Sequence, residues 1–483
     1  MRLWPIVKLL IMFSALFSLA MVFPLLTAVV FLEEGMIVSF GAPIAVTLAV
    51  ALPALVFSKK RKIDFTANEG ILLVCMAWIL AGLLGAVPYY LSGFMPRYTD
   101  AVFESVSGFT TTGATIIPDL EILPRSFHLW RGMTHWLGGM GIVVLTFALA
   151  PFLGAGGGYL LKGETTGPTK EKFTPKITMT AKILWLIYLG LTVSMFALLM
   201  LGGMDWLDAA AHAFSALGTG GFSTKNASIA AWNSPYIEWV CIVFMLIAGF
   251  NFALIYRLLR GKFGEIARNS EAKAYAAIVI IAAAAVAVQL VPYAGSPGKS
   301  LRFALFDVAS TLTTTGFMVD NHNQWPPLAQ FVVFMLMLIG GCSGSTAGGV
   351  KIVRYVILFK QTKNELLRNL YPKGIFSMQL DGKSGRKDIV FSVSSFFYLY
   401  ATLVGLGILL MSSAGSGLYD SLNAALIVLG NIGFGFGRLT SGNIFYEAPA
   451  YVKWGMSALM MIGRLEIYMF IILFNPEFWK NNF

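Results

Sequence analysis

Charge is what this chain has least of. Only 12% of its 483 residues are Asp, Glu, Lys or Arg, against roughly 25% in a soluble domain. With 57% hydrophobic residues and a mean hydropathy of +0.73, the composition is that of a polytopic membrane protein. Cysteine is nearly absent: Cys75, Cys241 and Cys342 lie in apolar or glycine-rich surroundings, which reads as buried thiols and excludes a disulfide framework. Histidine is equally scarce, and His128, His135, His212 and His322 lack the His-Glu-x-x-His spacing of a metal site. No cluster of acids, histidines or a nucleophile with its base is present, so nothing points to an enzyme. The net charge of +11 comes from basic residues in short connections between apolar spans, not from one basic face. That pattern fits cytoplasmic loops and argues against nucleic acid. A cleavable leader is also not evident: the run after Arg2 and Lys8 lasts from Leu9 to Leu32, longer than the roughly 7–15 residues of such a segment.

What the chain does have is a repeated uncharged motif. Ser107 to Thr115 reads Ser-Gly-Phe-Thr-Thr-Thr-Gly-Ala-Thr, and related runs return at Thr219-Gly220-Gly221-Phe222-Ser223, Thr313-Thr314-Thr315-Gly316-Phe317 and Asn431-Ile432-Gly433-Phe434-Gly435. Asp100, Asp208, Phe303 and Asp420 each stand 13 residues before the glycines Gly113, Gly221, Gly316 and Gly433, which are 108, 95 and 117 residues apart. Ser107, Ser215 and Ser310 share another offset, as do Phe103 and Phe306. Small residues alone could serve close helix packing, but a common offset four times over points to an internal repeat.

Taken in order, spans are expected at about 9–32 and 36–57, closed by the basic cluster Lys59-Lys60-Arg61-Lys62. The cluster puts the N-terminus in the cytoplasm and Glu33-Glu34 outside. Four units of span, half-helix, loop and span follow, with outer spans near 69–92 and 127–153, 180–203 and 234–258, 273–293 and 327–358, and 389–413 and 449–474. Between units lie Lys162, Lys170, Lys172, Lys176 and Lys182, then Arg257, Arg260, Lys262, Arg268 and Lys273, then a third basic stretch from Lys351 to Lys387. The expected fold is all-α: ten spans and four half-helices, with four non-identical units around one pore and two extra N-terminal helices. The expected segments are 1–66 for the N-terminal pair, then 67–157, 178–260, 272–362 and 388–476 for the four units. Aromatics at 14% suit lipid contact and interfacial belts.

These residue types suit a cation path. An unpaired ion in a low-dielectric interior costs, as an idealised figure, tens of kcal/mol, so its hydration shell must be replaced. Backbone carbonyls do this without fixed charge, and glycine permits the conformations that turn them toward an axis. If Asp100, Asp208 and Asp420 cap the short helices, the negative C-terminal ends face the loops and favour a cation. Gly340 to Gly349, Gly-Gly-Cys-Ser-Gly-Ser-Thr-Ala-Gly-Gly, interrupts the second span of the third unit. It is not a phosphate-binding loop, because Val350 separates Gly349 from Lys351 and Ile352 follows. Arg464 falls inside the last apolar span, where an ionisable group is a functional candidate by default. Glu466 is too close in sequence to face it on a helix, so its partner is expected elsewhere in the fold.

Together with Gly463-Arg464-Leu465-Glu466, these runs resemble the Trk/Ktr/HKT potassium transporter superfamily over essentially the whole chain, and the two extra N-terminal spans are most similar to the bacterial Trk membrane subunits. The resemblance implies a homodimer in the bacterial cytoplasmic (inner) membrane, gated by the glycine-rich loop Gly340, Gly341, Gly344, Gly348 and Gly349 with Arg464. It also implies a cytoplasmic nucleotide-binding partner of the TrkA type, which would carry the nucleotide. Carried onto this sequence, the potassium filter is Thr111, Thr112 and Gly113; Thr219, Gly220 and Gly221; Thr314, Thr315 and Gly316; and Asn431, Ile432 and Gly433. Members with serine at the first filter glycine tend toward sodium, so glycine at all four positions implies potassium. Two departures stand out: Phe303 replaces the aspartate of the third half-helix, and the fourth loop has no threonine before its glycine. A symporter moving potassium with protons or sodium is the alternative, since broken helices also suit alternating access; units of equal orientation favour a pore.

Overall fold

The computed structural model describes residues 3–56, 66–153, 177–374, 376, 379–381, 383–384, 387–441 and 443–480, and these are almost wholly helical. The cluster Lys59 to Lys62, the residues Lys162, Lys170, Lys172, Lys176 and Arg386, and the expected segment ends at 57–65 and 154–157 lie outside the described residues.

Among the described residues six helices are long and apolar enough to cross a membrane, or eight if two sharply bent pairs each count as one. Leu3–Ala20 and Val22–Val30 form the first, broken at Met21 where Pro24 has no amide hydrogen to donate back to residue 20. Glu34–Val56 returns beside it. At the turn between them the Glu33 carboxylate accepts from the backbone amides of Arg125 (2.7 Å) and Ser126 (3.2 Å) and from the Ser126 hydroxyl. The N-terminal pair thereby supplies an anion to the positive end of the Arg125–Leu153 helix.

Four short helices follow the plan of the sequence: Tyr98–Phe109, Trp206–Gly218, Pro297–Leu312 and Leu418–Gly430. Each packs on the long helix before it: Ala67–Leu91, Ile177–Leu201, Ser270–Ala294 and Lys387–Ser413. Each also meets the helix that ends the preceding unit. Arg125–Leu153 lies on the second, Pro235–Ala248 on the third, Pro327–Met337 on the fourth and Ala450–Arg464 on the first, so the contacts close a ring. Lipid offers apolar surface as good as leucine, so such packing depends on close approach rather than hydrophobic gain. A Cβ on Gly85 would come within 2.6 Å of the Ser105 hydroxyl, and one on Gly132 within 2.9 Å of the Ala211 backbone.

Two expectations are corrected. Asp100, Asp208 and Asp420 do not cap their helices. Arg97, Asp205 and Gly417 occupy the N-cap positions, and the three aspartates sit in the first turn facing sideways. There Asp208 accepts from the Thr224 hydroxyl (2.7 Å), Asp420 from the Arg438 amide (3.4 Å), and Asp100 pairs with Lys453 (2.8 Å). The third helix begins earlier, at Pro297, with the Ser296 hydroxyl as its cap, which is why Phe303 matches no aspartate. The second correction concerns the closing spans. Pro235–Ala248 bends by 102° into Phe252–Leu259, and Ala450–Arg464 by 115° into Tyr468–Phe474. The expected span 327–358 stops at Met337 and resumes as Ile352–Leu370.

Lys453 and Asp100, with side chains 2% and 12% exposed, join the last closing helix to the first short helix and so close the ring. Removing one partner of a buried pair strands the other charge at a cost of about 3–5 kcal/mol, whereas replacing both by apolar residues is far milder. Lys453→Ala is therefore expected to lower the thermal midpoint of the detergent-purified protein more than the double variant Lys453→Met, Asp100→Leu does.

Candidate functional site

The four loops leave their helices in the same way. The amides of Thr112, Gly220, Thr315 and Ile432 donate to the carbonyls of Ser107, Ser215, Ser310 and Ile427 at 2.8–3.1 Å, a helix-ending pattern that needs a left-handed residue just before the donor. Thr111, Thr219, Thr314 and Asn431 supply it, with φ of +52°, +56°, +55° and +53°. Two residues later Gly113, Gly221, Gly316 and Gly433 have φ of +76°, +78°, +88° and +90°. Positive φ at alternate residues turns successive peptides the same way round, and only the second site in each loop has a residue for which this is cheap.

The loops meet. A Cβ on Gly113 would overlap the Gly220 oxygen, one on Gly221 the Thr315 oxygen, one on Gly316 the Ile432 oxygen and one on Gly433 the Thr112 oxygen. Each glycine thus carries the preceding-residue carbonyl of the next loop against its face, in cyclic order. All twelve residues singled out in the sequence lie together in this ring, and every one of them outside the glycines' own open faces is buried.

Different side chains hold each wall. The Thr110 and Thr112 hydroxyls bond at 2.7 Å in the first loop, as do Thr313 and Thr315 in the third. Behind the second, the His135 ring lies against Gly220, stacks on Phe222 at 4.1 Å and bonds the Ser215 hydroxyl at 2.8 Å. In the fourth, which lacks threonine, the Asn431 amide donates to the Thr112 hydroxyl (2.8 Å) and the Met460 carbonyl (3.1 Å). Asparagine tolerates the left-handed conformation better than threonine, so the departure seen in the sequence ties wall four to wall one. Further out, buried Glu104 and Arg131 pair at 2.9 Å. Arg131 also donates to the Ser223 carbonyl (2.9 Å) and lies 4.1 Å over the Phe222 ring, while Glu104 accepts from Thr115 and Ile116. This pair clasps the first short helix to the second loop.

Directly beyond the ring, on the side where the short helices end, lies the glycine-rich loop. The Gly348 amide donates to the Thr314 hydroxyl at 2.6 Å, and a Cβ on Gly348 would be 2.5 Å from the Gly430 oxygen. The Thr346 hydroxyl donates to the carbonyls of Leu217 (2.9 Å) and Ala248 (3.1 Å). Gly340, Gly344 and Gly349 take φ of +83°, +67° and +74°, and Gly341 lies 3.0 Å, by its missing Cβ, from the Gly249 oxygen. The loop therefore occupies the level at which the second and fourth closing helices also break. Arg464 is the last residue before the 115° bend, not a mid-helix residue as expected. Its guanidinium donates to the Thr346 carbonyl (2.8 Å) and to the Gly138 carbonyl (2.8 Å) of the Arg125–Leu153 helix, spanning from the loop to the opposite wall. Glu466 pairs instead with Arg354 at 2.6 Å.

Chemically, this is an uncharged ring of oxygens with four helix C-termini aimed at it, each carrying roughly half a negative charge, and a polypeptide plug below. Sequence reasoning missed the breaks after Ala248 and after Arg464, and it missed the buried polar residues of the short helices. A signal for the latter existed: Glu104, His212 and Asp307 each stand nine residues before the loop glycine.

A family model described as TrkH, cation transport protein, matches residues 39–481. The chain is similar to the Trk system potassium uptake protein TrkH of Halomonas elongata, at 36% identity over 99% of this chain and all of that protein. It is also similar to TrkH of Escherichia coli K12 (36% identity, 96% and 97% covered) and to TrkG of the same organism (33%, 96% and 96%). Among solved structures, the crystal structure of the potassium transporter TrkH from Vibrio parahaemolyticus superposes with a TM-score of 0.86 at 31% identity, covering 99% of this chain and all of that one.

Because Gly316 combines φ +88° with a backbone oxygen where a Cβ would go, Gly316→Ala is expected to cost at least about 1–3 kcal/mol. Gly264 has nothing near it, so Gly264→Ala should leave the thermal midpoint unmoved while Gly316→Ala lowers it by several degrees.

Proposed function

The chain belongs to the TrkH family of cation transport proteins, and on that footing we propose that it conducts potassium through the ring of loop carbonyls. The family is one of membrane transporters rather than enzymes, named for potassium uptake. The observation that carries the reading is the fourfold recurrence of one backbone conformation, positive φ at Thr111, Thr219, Thr314 and Asn431 and again at the four glycines, with each loop's carbonyl against its neighbour's glycine. Peptide oxygens so arranged replace the hydration shell of a monovalent ion without fixed charge. Thr111, Thr112, Gly113, Thr219, Gly220, Gly221, Thr314, Thr315, Gly316, Asn431, Ile432 and Gly433 are the ion-binding residues on this reading.

Gly340 to Gly349 acts as the gate. It lies across the route from the ring, and its glycines give it the backbone freedom to move. Arg464 holds it by bonding the Thr346 carbonyl on one side and Gly138 on the other. In this reading the chain sits in the bacterial cytoplasmic membrane as a homodimer with its N-terminus inside, and a TrkA-type nucleotide-binding subunit on the cytoplasmic side moves the gate. The relatives' designation as parts of a Trk system supports a multi-component assembly. An inside-negative potential favours entry by ~2.3 kcal/mol per charge per 100 mV.

Two outcomes test this. In proteoliposomes, the reversal potential should follow the potassium gradient alone; a shift with pH or sodium at fixed potassium would instead establish coupled symport. Arg464→Ala should raise ion flux several-fold in the absence of any partner, and flux no higher than wild type would remove Arg464 from the gate.

A further inference from the structure

The Glu104–Arg131 clasp has a counterpart on the opposite side of the ring, made of different chemistry. Asp307 stands nine residues before Gly316 in the third short helix, where Glu104 stands nine before Gly113 in the first. Arg131 reaches the carbonyl of Ser223, two residues past the glycine of loop two. His322, in the segment after loop three, bonds by Nε2 to the carbonyl of Gly435, two residues past the glycine of loop four, at 3.1 Å. Its Nδ1 lies 3.8 Å from the Asp307 carboxylate, and both side chains are fully buried. Each clasp therefore runs from a short helix, through one nitrogen-bearing side chain, to the loop that follows in the cycle.

The proton count sets the two apart. A carbonyl only accepts, so Nε2 of His322 must carry a hydrogen. In the neutral ring that leaves a lone pair on Nδ1, pointing at a carboxylate. Neither Asp307 oxygen nor Nδ1 has any hydrogen-bond partner among the described residues. Asp320, the charged group that acts on both, accepts from the Trp325 indole (2.9 Å), and Arg302, one turn and a half back on the same short helix, pairs with Glu238 (2.6 Å). His212, the histidine on the neighbouring short helix, bonds the Asp208 carbonyl and the Ser223 hydroxyl. A bare carboxylate facing a lone pair in a dry interior costs several kcal/mol, and one proton between the two groups removes that cost.

We propose that Asp307 and His322, 3.8 Å apart, hold one proton between them as a neutral pair and so position the third and fourth loops, ion discrimination depending on this clasp. His322 is wedged between the rings of Phe434 and Phe436 at 4.9 Å each, and the Asn323 side chain bonds the amide of Gly437 at 2.9 Å. A change at the clasp is thereby passed straight to the backbone after Gly433. Asp307 and His322 are positioning residues, since neither touches the ring itself. The inference rests on the ring being the ion filter.

Rubidium and sodium uptake, measured in a potassium-transporter-deficient host, tests it with Asp307→Asn, Asp307→Val and His322→Phe. Asparagine keeps the site neutral and presents an N–H to the Nδ1 lone pair; valine presents none. Asp307→Val and His322→Phe are expected to reduce rubidium-over-sodium preference on the order of tenfold, or ~1.4 kcal/mol of discrimination, while Asp307→Asn keeps most of it. His322→Phe preserves the ring packing, so it remains informative if Asp307→Val fails to reach the membrane. Preference unchanged in Asp307→Val or His322→Phe, or lost as fully in Asp307→Asn, overturns the clasp. A wild type that takes up sodium as readily as rubidium overturns the filter reading instead, whatever the variants do.

Discussion

Four residues that are not glycine are held with positive φ in one small ring, and much of the molecule is arranged to keep them there. Thr111, Thr219, Thr314 and Asn431 each adopt a conformation that costs an L-residue roughly 1–2 kcal/mol. The offset comes from the helix-ending hydrogen bonds to Ser107, Ser215, Ser310 and Ile427, from glycines that let neighbouring backbones touch, and from the side chains packed behind each wall. A ring built so tightly tolerates little change in radius, because packed interiors resist continuous deformation. Rigid placement of oxygens is what a selective site for a small bare ion requires.

The support is not fourfold, although the ring is. Walls one and two are tied by a fixed charge pair, Glu104 with Arg131; walls three and four by Asp307 and His322; wall four to wall one by the Asn431 amide and by Lys453 with Asp100. In each case one buried polar side chain reaches a neighbouring unit: Arg131 the Ser223 carbonyl, His322 the Gly435 carbonyl, Asn431 the Thr112 hydroxyl and Lys453 the Asp100 carboxylate. The polar contacts therefore do the joining that hydrophobic burial cannot do among lipid-exposed helices. Below the ring the logic reverses. The closing helices of units two, three and four are broken, and the breaks are bridged by Thr346 and Arg464, which donate to carbonyls, and by the Gly348 amide, which donates to the Thr314 hydroxyl.

The sequence made the ring legible because its constraints are local. A left-handed residue two before a positive-φ glycine restricts residue type at fixed spacing, so that step recurs in all four divergent units, while the 13-residue offset to an aspartate holds in three. The N-cap expectation failed for a related reason: an aspartate near a helix start is equally well placed in the first turn, and Thr224, Arg438 and Lys453, which decide the matter, are contributed by other parts of the fold. The breaks were only half visible. Ten residues rich in glycine announced the third, whereas Leu465-Glu466-Ile467 contains no breaker at all and bends because Glu466 and Ile467 are held at φ +56° and +61° by their surroundings. The clasps were hidden because Arg131 and His322 meet partners 27 and 15 residues away in chain and on different elements.

The central claim is that carbonyls of the four loops take the place of water around a monovalent cation. Anomalous diffraction from crystals grown with rubidium or thallium tests it most directly. The account predicts a peak on the axis of the ring, within coordination distance of oxygens from residues 111–113, 219–221, 314–316 and 431–433. Density confined to sites away from the ring, or a ring that stays empty at saturating ion, would contradict it.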